Sequence, residues 1–293
     1  MRFVENSKID RVKWDKAILN SKQPLVFAMS FYLDSVSPEW CALIENDYES
    51  VFPLTIAKKF GIKYLIQPPF TPQLGAFGKS NLLFEKSALD YIQSNFKFVD
   101  IEFNANMQKV KFCTDKKTFV LSDKTEIKLN TNTKRNLKKS EKLGVAIQVL
   151  SNKGSITNSK KIIDPFLRKK IKLPVKHIQI FNLLLKNSMD QNKLITFAAV
   201  KDENVIGLAH FITNGKHAVY LKGNSLEKES GAMHSICYYA MNYFFKIGVQ
   251  LFDFGGGQIE SLARFYSGFG ATPLVYYRFK INNLPNAVKW FKR

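Results

Sequence analysis

Apolar and polar positions along the chain alternate between a period near 3.6 and a period near two. Trp14 and Ile18 share one face of a short helix over Arg11 to Asn20. Leu25 to Phe31 is an unbroken apolar run of strand length, and a strand is expected there. WCALIE (40–45) and VFPLTIA (51–57) flank the polar stretch Asn46 to Ser50 and predict a hairpin. Lys63 to Gln67 predicts a further strand, which runs into QPPFTPQLGAFG. So many Pro and Gly residues exclude regular structure and leave a loop, Gln67 to Gly78, of the kind that carries specificity. Lys86 to Asn95 has a helical pattern, and FVDIEF (98–103) alternates as a strand does.

The second half is richer in signals. Thr131 or Thr133 is placed to cap a helix that runs to about Leu143 and stops at Gly144, before the strand VAIQVL. Ile178 to Ser188 is a helix. LITFAAV (194–200), VIGLAHFIT (205–213) and HAVYLKG (217–223) are three strands. Asn214-Gly215 between the last two is the sharpest hairpin signal in the chain. GAMHSICYYAMNYFFKIG (231–248) is a long apolar helix, LFDFGG (251–256) a strand, Glu260 to Ser267 a short helix and PLVYYRFKI (273–281) a strand. LPNAVKW predicts a C-terminal helix. A meander followed by a strand–helix–strand crossover is an α/β pattern.

Composition adds limits. The chain has 293 residues, enough for two domains, and 45% hydrophobic residues, enough for sizeable cores. Lys and Arg total 44 against 24 acids, a net charge of +20, which favours anionic partners. The charge is clustered. Thr131 to Lys186 holds 14 Lys or Arg and two acids, Glu141 and Asp164. Most such runs are solvated helix faces. Cys41, Cys113 and Cys237 are far apart, so a reducing compartment without disulfides is expected. The N-terminal stretch lacks a signal-peptide core, and no apolar run reaches membrane-span length. These features predict a cytoplasmic protein. The four histidines have no ligand spacing, and no metal is expected. His210 and His217 read as a surface pair across the hairpin.

FAAV, VIGLAHFITNGKHAVYLKGNS, LFDFGGG and SLARFYSGFGA, in that order after the basic opening TKRNLKKSEKLGVAIQV, resemble the C-terminal lobe of the FemABX-like branch of the GNAT acyltransferase superfamily. Residues 130–282 carry the resemblance. Over 1–125 it is architectural only, in a Trp-Asp…Ser start, a hairpin and a Gly/Pro loop. The resemblance implies two GNAT-like lobes, each a mixed, mainly antiparallel sheet flanked by helices. The first spans 1–125, the second 126–282 with the active site, and 283–293 is a helix returning to the first lobe. It implies transfer of an acyl or aminoacyl group from a small-molecule donor to an amine acceptor. Acyl-CoA is the co-substrate of one group of relatives, and aminoacyl-tRNA is the donor in those that build cell-wall precursors. A catalytically degenerate ligand-binding module is the third alternative. No tightly bound cofactor and no DNA role are implied.

The same resemblance assigns candidate residues. In GNAT-like sheets two strands part and free backbone N–H groups to face a carbonyl. Here these are HAVYLKG, with Lys222, and LFDFGG, with Asp253. Asp253 reads as an acid/base or acceptor-binding group, although Asp before glycines also ties down turns. Tyr266 lies four residues before Gly270, as does the leaving-group acid of many CoA-dependent relatives. In the tRNA-dependent branch this turn reads Phe-Lys. Here Tyr266 follows Phe265, which favours a CoA-type donor, with Arg264 as a nearby cation. Lys228, Gly231 and Ser235, at the start of the long helix, are the phosphate-site candidates, with Glu227 and Glu229 opposing an anion. Arg135 matches a helix Arg that contacts an anionic acceptor, and a solvated charge is its ordinary reading.

Overall fold

The protein is described by a computed structural model that covers residues 1–59, 61–124 and 126–285. The predicted C-terminal helix lies outside the described residues. The chain divides into two compact units, 1–116 with 275–293, and 117–274.

The first unit holds β1 (Arg2–Val4), α1 (Arg11–Leu19), α2 (Ser30–Val36), β2 (Cys41–Glu45), β3 (Ser50–Leu54), β4 (Ile56–Lys59), β5 (Ile62–Ile66), β6 (Phe77–Gly78), α3 (Leu82–Asn95) and β7 (Phe98–Phe103). The predicted hairpin forms, with Glu45 opposite Ser50 and Cys41 opposite Leu54. The Trp-Asp…Ser start has a packing role. Trp14 and Trp40 pack with ring centroids 4.5 Å apart and planes tilted by 58°, and Asp15 accepts bonds from the N–H and the hydroxyl of Ser30, both at 2.7 Å. This fixes the first turn of α2. The strand expected at Leu25 to Phe31 is instead a 3₁₀ turn over Val26–Ala28 followed by α2. Leu25, Val26, Phe27 and Ala28 are all fully buried, so the run carries no periodicity to separate strand from helix.

β5 and β7 are parallel at Leu65↔Val99 and Ile66↔Asp100. Beyond that point the Pro/Gly loop fills the space between them. Gln67 N–H donates to the Asp100 carbonyl, Leu74 N–H to the Glu102 carbonyl, and the Gln67 side chain accepts from Glu102 N–H. This loop is therefore a plug in its own sheet.

The second unit begins within β8 (Cys113–Ser122). It continues with α4 (Thr131–Lys142), β9 (Ala146–Val149), α5 (Asn152–Pro165), a π-helical turn (Phe166–Lys170), α6 (Val175–Asp190), β10 (Leu194–Lys201), β11 (Asn204–Thr213), β12 (His217–Ser225), α7 (Ala232–Lys246), β13 (Leu251–Asp253) and α8 (Glu260–Ser267). β14 (Thr272–Asn282) starts here and ends in the first unit, paired with β7. The sheet order in the second unit is β8-β13-β12-β11-β10-β9. All neighbours are antiparallel except β12 and β13. α4 is capped by Asn130, whose side chain accepts from Thr133 N–H, so neither predicted threonine is the cap. Gly215 has φ +92°, as the hairpin tip requires.

The core of this unit lies between the sheet and α7. Phe211 is fully buried, with ring centroids 5.5 Å from Phe197, 5.6 Å from Phe244 and 5.8 Å from Phe252. Ile236, Ala240 and Met241 of α7 close over this cluster. The other face of the sheet is covered by α5 and α6, through residues such as Ile162, Ile163, Phe181 and Leu184.

Phe211→Ala removes the ring at the centre of this cluster and leaves a cavity that three neighbouring rings cannot close. We expect a loss of about 3–5 kcal/mol in urea unfolding. A loss below about 1 kcal/mol would mean that the cluster is not a close-packed core.

Candidate functional site

The parallel contact between β12 and β13 lasts three residues: His217↔Leu251, Ala218↔Phe252 and Val219↔Asp253. β13 then ends, while β12 runs on to Ser225 beside β11. Two features drive them apart. On β12 a bulge falls at Leu221, because Tyr220 opposes Phe211 and Lys222 opposes His210. A bulge bends its strand and raises its twist. On β13 the chain is drawn toward β8, with Phe254 N–H donating to the Phe119 carbonyl at 2.9 Å.

Asp253 fixes the second feature. Its Oδ1 accepts from Thr118 Oγ1 at 2.5 Å and from Gly255 N–H at 2.7 Å. Its Oδ2 lies 3.6 Å from His217 Nε2, within ion-pair range. Gly255 has φ +67°, and a Cβ there would sit 2.9 Å from the Tyr220 carbonyl oxygen. Only glycine turns the chain at this point. Asp253 is fully buried, so its carboxylate holds the turn and does not face an open space.

A cavity of about 330 Å³ lies alongside β12 beyond Val219. One wall is the free edge of β12, from Tyr220 through Gly223 to Ser225. Another is the start of α7, with Gly231, Met233 and His234. Leu262 and Phe265 of α8 and Lys170 of the π-helical turn complete it. The Gly223 backbone lies close to the Tyr220 phenol oxygen and slightly offsets the effect of burial on it. A Cβ at Gly223 would meet that oxygen at 2.6 Å, Met233 Cε at 2.7 Å and Ala209 Cβ at 2.9 Å. Burial is the main reason that the Tyr220 phenol is pushed well above its usual range, with Cys237 and Tyr266 adding to it. Burial also lowers His234 to about 4, so it lines the cavity as a neutral imidazole at pH 7.

The predicted residues separate into three groups. Lys228 and Gly231 line the cavity. Tyr266 and Asp253 lie in the layer behind it. Tyr266 is 4% exposed, stacked 4.4 Å from Phe254 and 6.5 Å from the Tyr220 ring, and burial raises its phenol too. The phenol at the cavity is thus Tyr220, and Leu262 and Phe265 are the α8 residues that line it. Lys222 opposes His210, which meets Ser159 and Phe181 on the α5/α6 face. Cross-strand partners share a face, so Lys222 points to that side, where burial lowers its pKa.

The remaining candidates lie elsewhere. Arg135 is exposed and donates to Asn132 Oδ1, and Arg264 is exposed in the last turn of α8. Ser235 lines a different groove with Tyr238 and Tyr239. The loop before α7 is tightly organised. Glu227 pairs with Lys201 at 3.3 Å and Glu229 with Lys139 at 3.9 Å, so both acids that opposed an anion are met by cations. Gly231 has φ +74°, and a Cβ there would lie 2.3 Å from the Asn136 carbonyl oxygen of α4.

His210 and His217 are both fully buried, which corrects their reading as a surface pair. His210 is held by Thr196 at 2.9 Å and Ser159 at 3.1 Å, while His217 stands by Asp253.

The cavity is also lined by Tyr220, Gly223, His234 and Lys170, which the sequence analysis did not single out. Tyr220 and Gly223 share a face only because the bulge at Leu221 resets the alternation. The Gly within HAVYLKG was the available signal, since glycine inside a strand marks a bulge or a close approach.

The fold is that of known proteins. FemX superposes with a TM-score of 0.69 at 11% identity, covering 100% of each chain. The C-terminal domain of a putative lysylphosphatidylglycerol synthetase from Agrobacterium fabrum gives 0.61 at 8% identity, covering 98% of this chain and 95% of that one. A tandem GNAT protein from the clavulanic acid biosynthesis pathway gives 0.53 at 9%, covering 97% and 99%. No protein-family model and no curated protein matches the sequence. The FemABX-like, tandem-GNAT fold implied by the sequence is therefore the fold of this chain.

His210 carries a pH prediction. Burial lowers it to about 3, against 6.5 for the free group. The unfolded chain takes up a proton as pH falls below 6.5, and the folded one does not. The stability from the neutral form is complete above 6.5 and is lost as pH falls towards 3. Between pH 6.5 and 4.5 the slope from this group approaches 1.4 kcal/mol per pH unit. His210→Gln should flatten the stability profile there. An unchanged profile would show that His210 is not buried neutral.

Proposed function

We propose that the second unit transfers an acyl or aminoacyl group to an amine, and that the reacting carbonyl is received where β12 and β13 part. One observation carries this reading. The sheet ends its β12–β13 contact at Val219 and Asp253, and a cavity opens on the freed edge beside the start of a 15-residue helix. Strand amides left without a neighbouring strand suit a developing oxyanion, because they need little reorganisation to meet it. The fold shared with FemX and a tandem GNAT protein supports the same class of chemistry.

The acceptor nitrogen attacks the carbonyl carbon, and the oxygen takes the negative charge. Gly223 N–H, close to the Tyr220 oxygen, lies within the reach of this oxyanion. As the intermediate collapses, the bond to the donor's sulfur or oxygen breaks. Tyr220 keeps its proton at neutral pH and so serves as hydrogen-bond donor to the departing group. The proton that the amine sheds passes to solvent at the cavity mouth, and His234, neutral and on the same wall, offers its ring as a hydrogen-bond partner. Asp253 and Tyr266 act through position. Asp253 holds the parting of the strands, and Tyr266 with Phe254 backs the Tyr220 ring.

A CoA-type donor is the first reading. Its extended amide-bearing arm can bond to the free edge of β12 as a strand would. Its phosphates meet Lys228 and the start of α7, where Lys201 and Lys139 neutralise the two acids. An aminoacyl-tRNA is the second, favoured by the cations of α4, α5 and the π-helical turn, one of which, Lys170, reaches the cavity. Ligand binding without turnover is the third.

Acetyl-CoA at 100 times its Kd should stabilise the folded protein by about 2.7 kcal/mol in thermal unfolding. Stabilisation by charged tRNA alone, falling steeply with salt, would select the second donor. In a turnover assay Tyr220→Phe should lower kcat by about 10²-fold with little change in Tm. A Tyr220→Phe enzyme as fast as the parent, beside a crippled Tyr266→Phe, would return the donor role to Tyr266.

A further inference from the structure

The turn that links α5 to α6 is strongly basic and free of acids. Between Asp164 and Asp190 there is no acid, while Arg168, Lys169, Lys170, Lys172 and Lys176 crowd into nine positions. All five are exposed. Two aliphatic side chains stand out among them, Ile171 at 46% exposure and Val175 at 62%. The segment is braced from beneath. Leu167 is fully buried, the Leu173 N–H donates to the Leu167 carbonyl at 3.0 Å, and the Ile171 N–H donates to the Phe166 carbonyl at 3.0 Å. The tip therefore presents its cations and aliphatics on a fixed frame.

We propose that this tip docks the protein onto an anionic phospholipid bilayer, with Ile171 and Val175 entering the interface and the surrounding cations meeting lipid phosphates. Clustered Lys and Arg on a surface element are drawn to the negative potential of such a membrane, and interleaved aliphatics add apolar burial. The alternative anion, an RNA, fits the tip less well. Binding of unpaired bases needs open aromatic faces. The one ring in the segment, Phe166, is half-buried with the Lys170 ammonium 5.5 Å from its centroid. Four of the five cations are Lys, which act as point charges and lack the bidentate fork of Arg. No helix among the described residues is long and apolar enough to cross a membrane, so the association is peripheral.

Lys170 belongs to the tip and also lines the cavity, so a docked tip brings the cavity wall to the lipid surface. An acceptor amine anchored in the bilayer would then meet the site. That last step rests on the transferase reading, whereas docking is measured without any turnover.

The test is flotation of the full chain with vesicles of phosphatidylcholine alone and of equal phosphatidylcholine and phosphatidylglycerol, at 0.1 M and 0.5 M salt. Binding is expected only to the phosphatidylglycerol vesicles, and 0.5 M salt should release most of it. The variant R168Q/K169Q/K172Q/K176Q should lower the partition coefficient at least about tenfold. I171S/V175S, which keeps every charge, should lower it about threefold or more at an unchanged Tm. The proposal is overturned if the parent ignores phosphatidylglycerol vesicles, or if both variants bind as the parent does. It is also overturned if the tip substitutions abolish binding to unacylated tRNA and leave vesicle binding intact.

Discussion

The three-residue limit on the contact between β12 and β13 is the constraint on which the chemistry proposed for the second unit depends. A parallel pair in a sheet ordinarily continues until its shorter strand ends and a helix covers the rest. Here the longer strand is left with a free edge, and the space beside it stays open. Two local devices keep it so. The bulge at Leu221 turns β12 away, and the Asp253 carboxylate pins Gly255 and Thr118 so that β13 leaves towards β8. A buried carboxyl group is costly unless its oxygens are met; Thr118 and Gly255 meet Oδ1 of Asp253, and Oδ2 lies 3.6 Å from His217 Nε2. The first unit shows the opposite solution. β5 and β7 also part after two paired residues, and the Gln67 to Gly78 loop fills the gap with backbone bonds.

The electrostatics around the cavity follow the same division between wall and backing layer. The wall groups Tyr220 and His234 are both pushed towards their neutral forms by burial, so the cavity's interior carries little charge of its own at pH 7. Charge is supplied at the rim, by Lys170 and Lys228. Neutral hydrogen-bonding groups inside and cations outside suit a substrate that has an anionic body and an uncharged reacting end. The basic run from Thr131 to Lys186 folds into α4, α5, the π-helical turn and α6. The tip at Arg168 to Lys176 carries five of these cations and no acid, and exposed aliphatic residues accompany them.

Much of this was legible in the sequence because many elements carry local punctuation. Asn214-Gly215 fixed one hairpin, Gly144 and Gly248 marked helix ends, and the meander followed by a crossover gave the sheet its order. What was missed lacked such marks. Leu25 to Ala28 is buried on every side, so its pattern said apolar and nothing more. The strand Cys113–Ser122 opens with a polar, Lys-rich half that hides its pairing, and α5 is broken by Gly154, Ser and Asn residues that read as loop. In the site, Asp253 and Gly255 were legible as a turn. The place of Tyr220 beside the cavity was not. Tyr266 matched a spacing, whereas the position of Tyr220 depends on one extra residue in a strand, which shifts faces without any change in composition.

The account stands on the free edge of β12, and residue-by-residue amide hydrogen exchange of the ligand-free protein reads that edge directly. Slow exchange is expected from His217 to Val219, where strands flank β12 on both sides. Among Leu221 to Ser225, the amides turned away from β11 should exchange at least about a hundredfold faster. Uniform protection from His217 to Ser225 would mean that the strands do not part, and the carbonyl would have no place to sit.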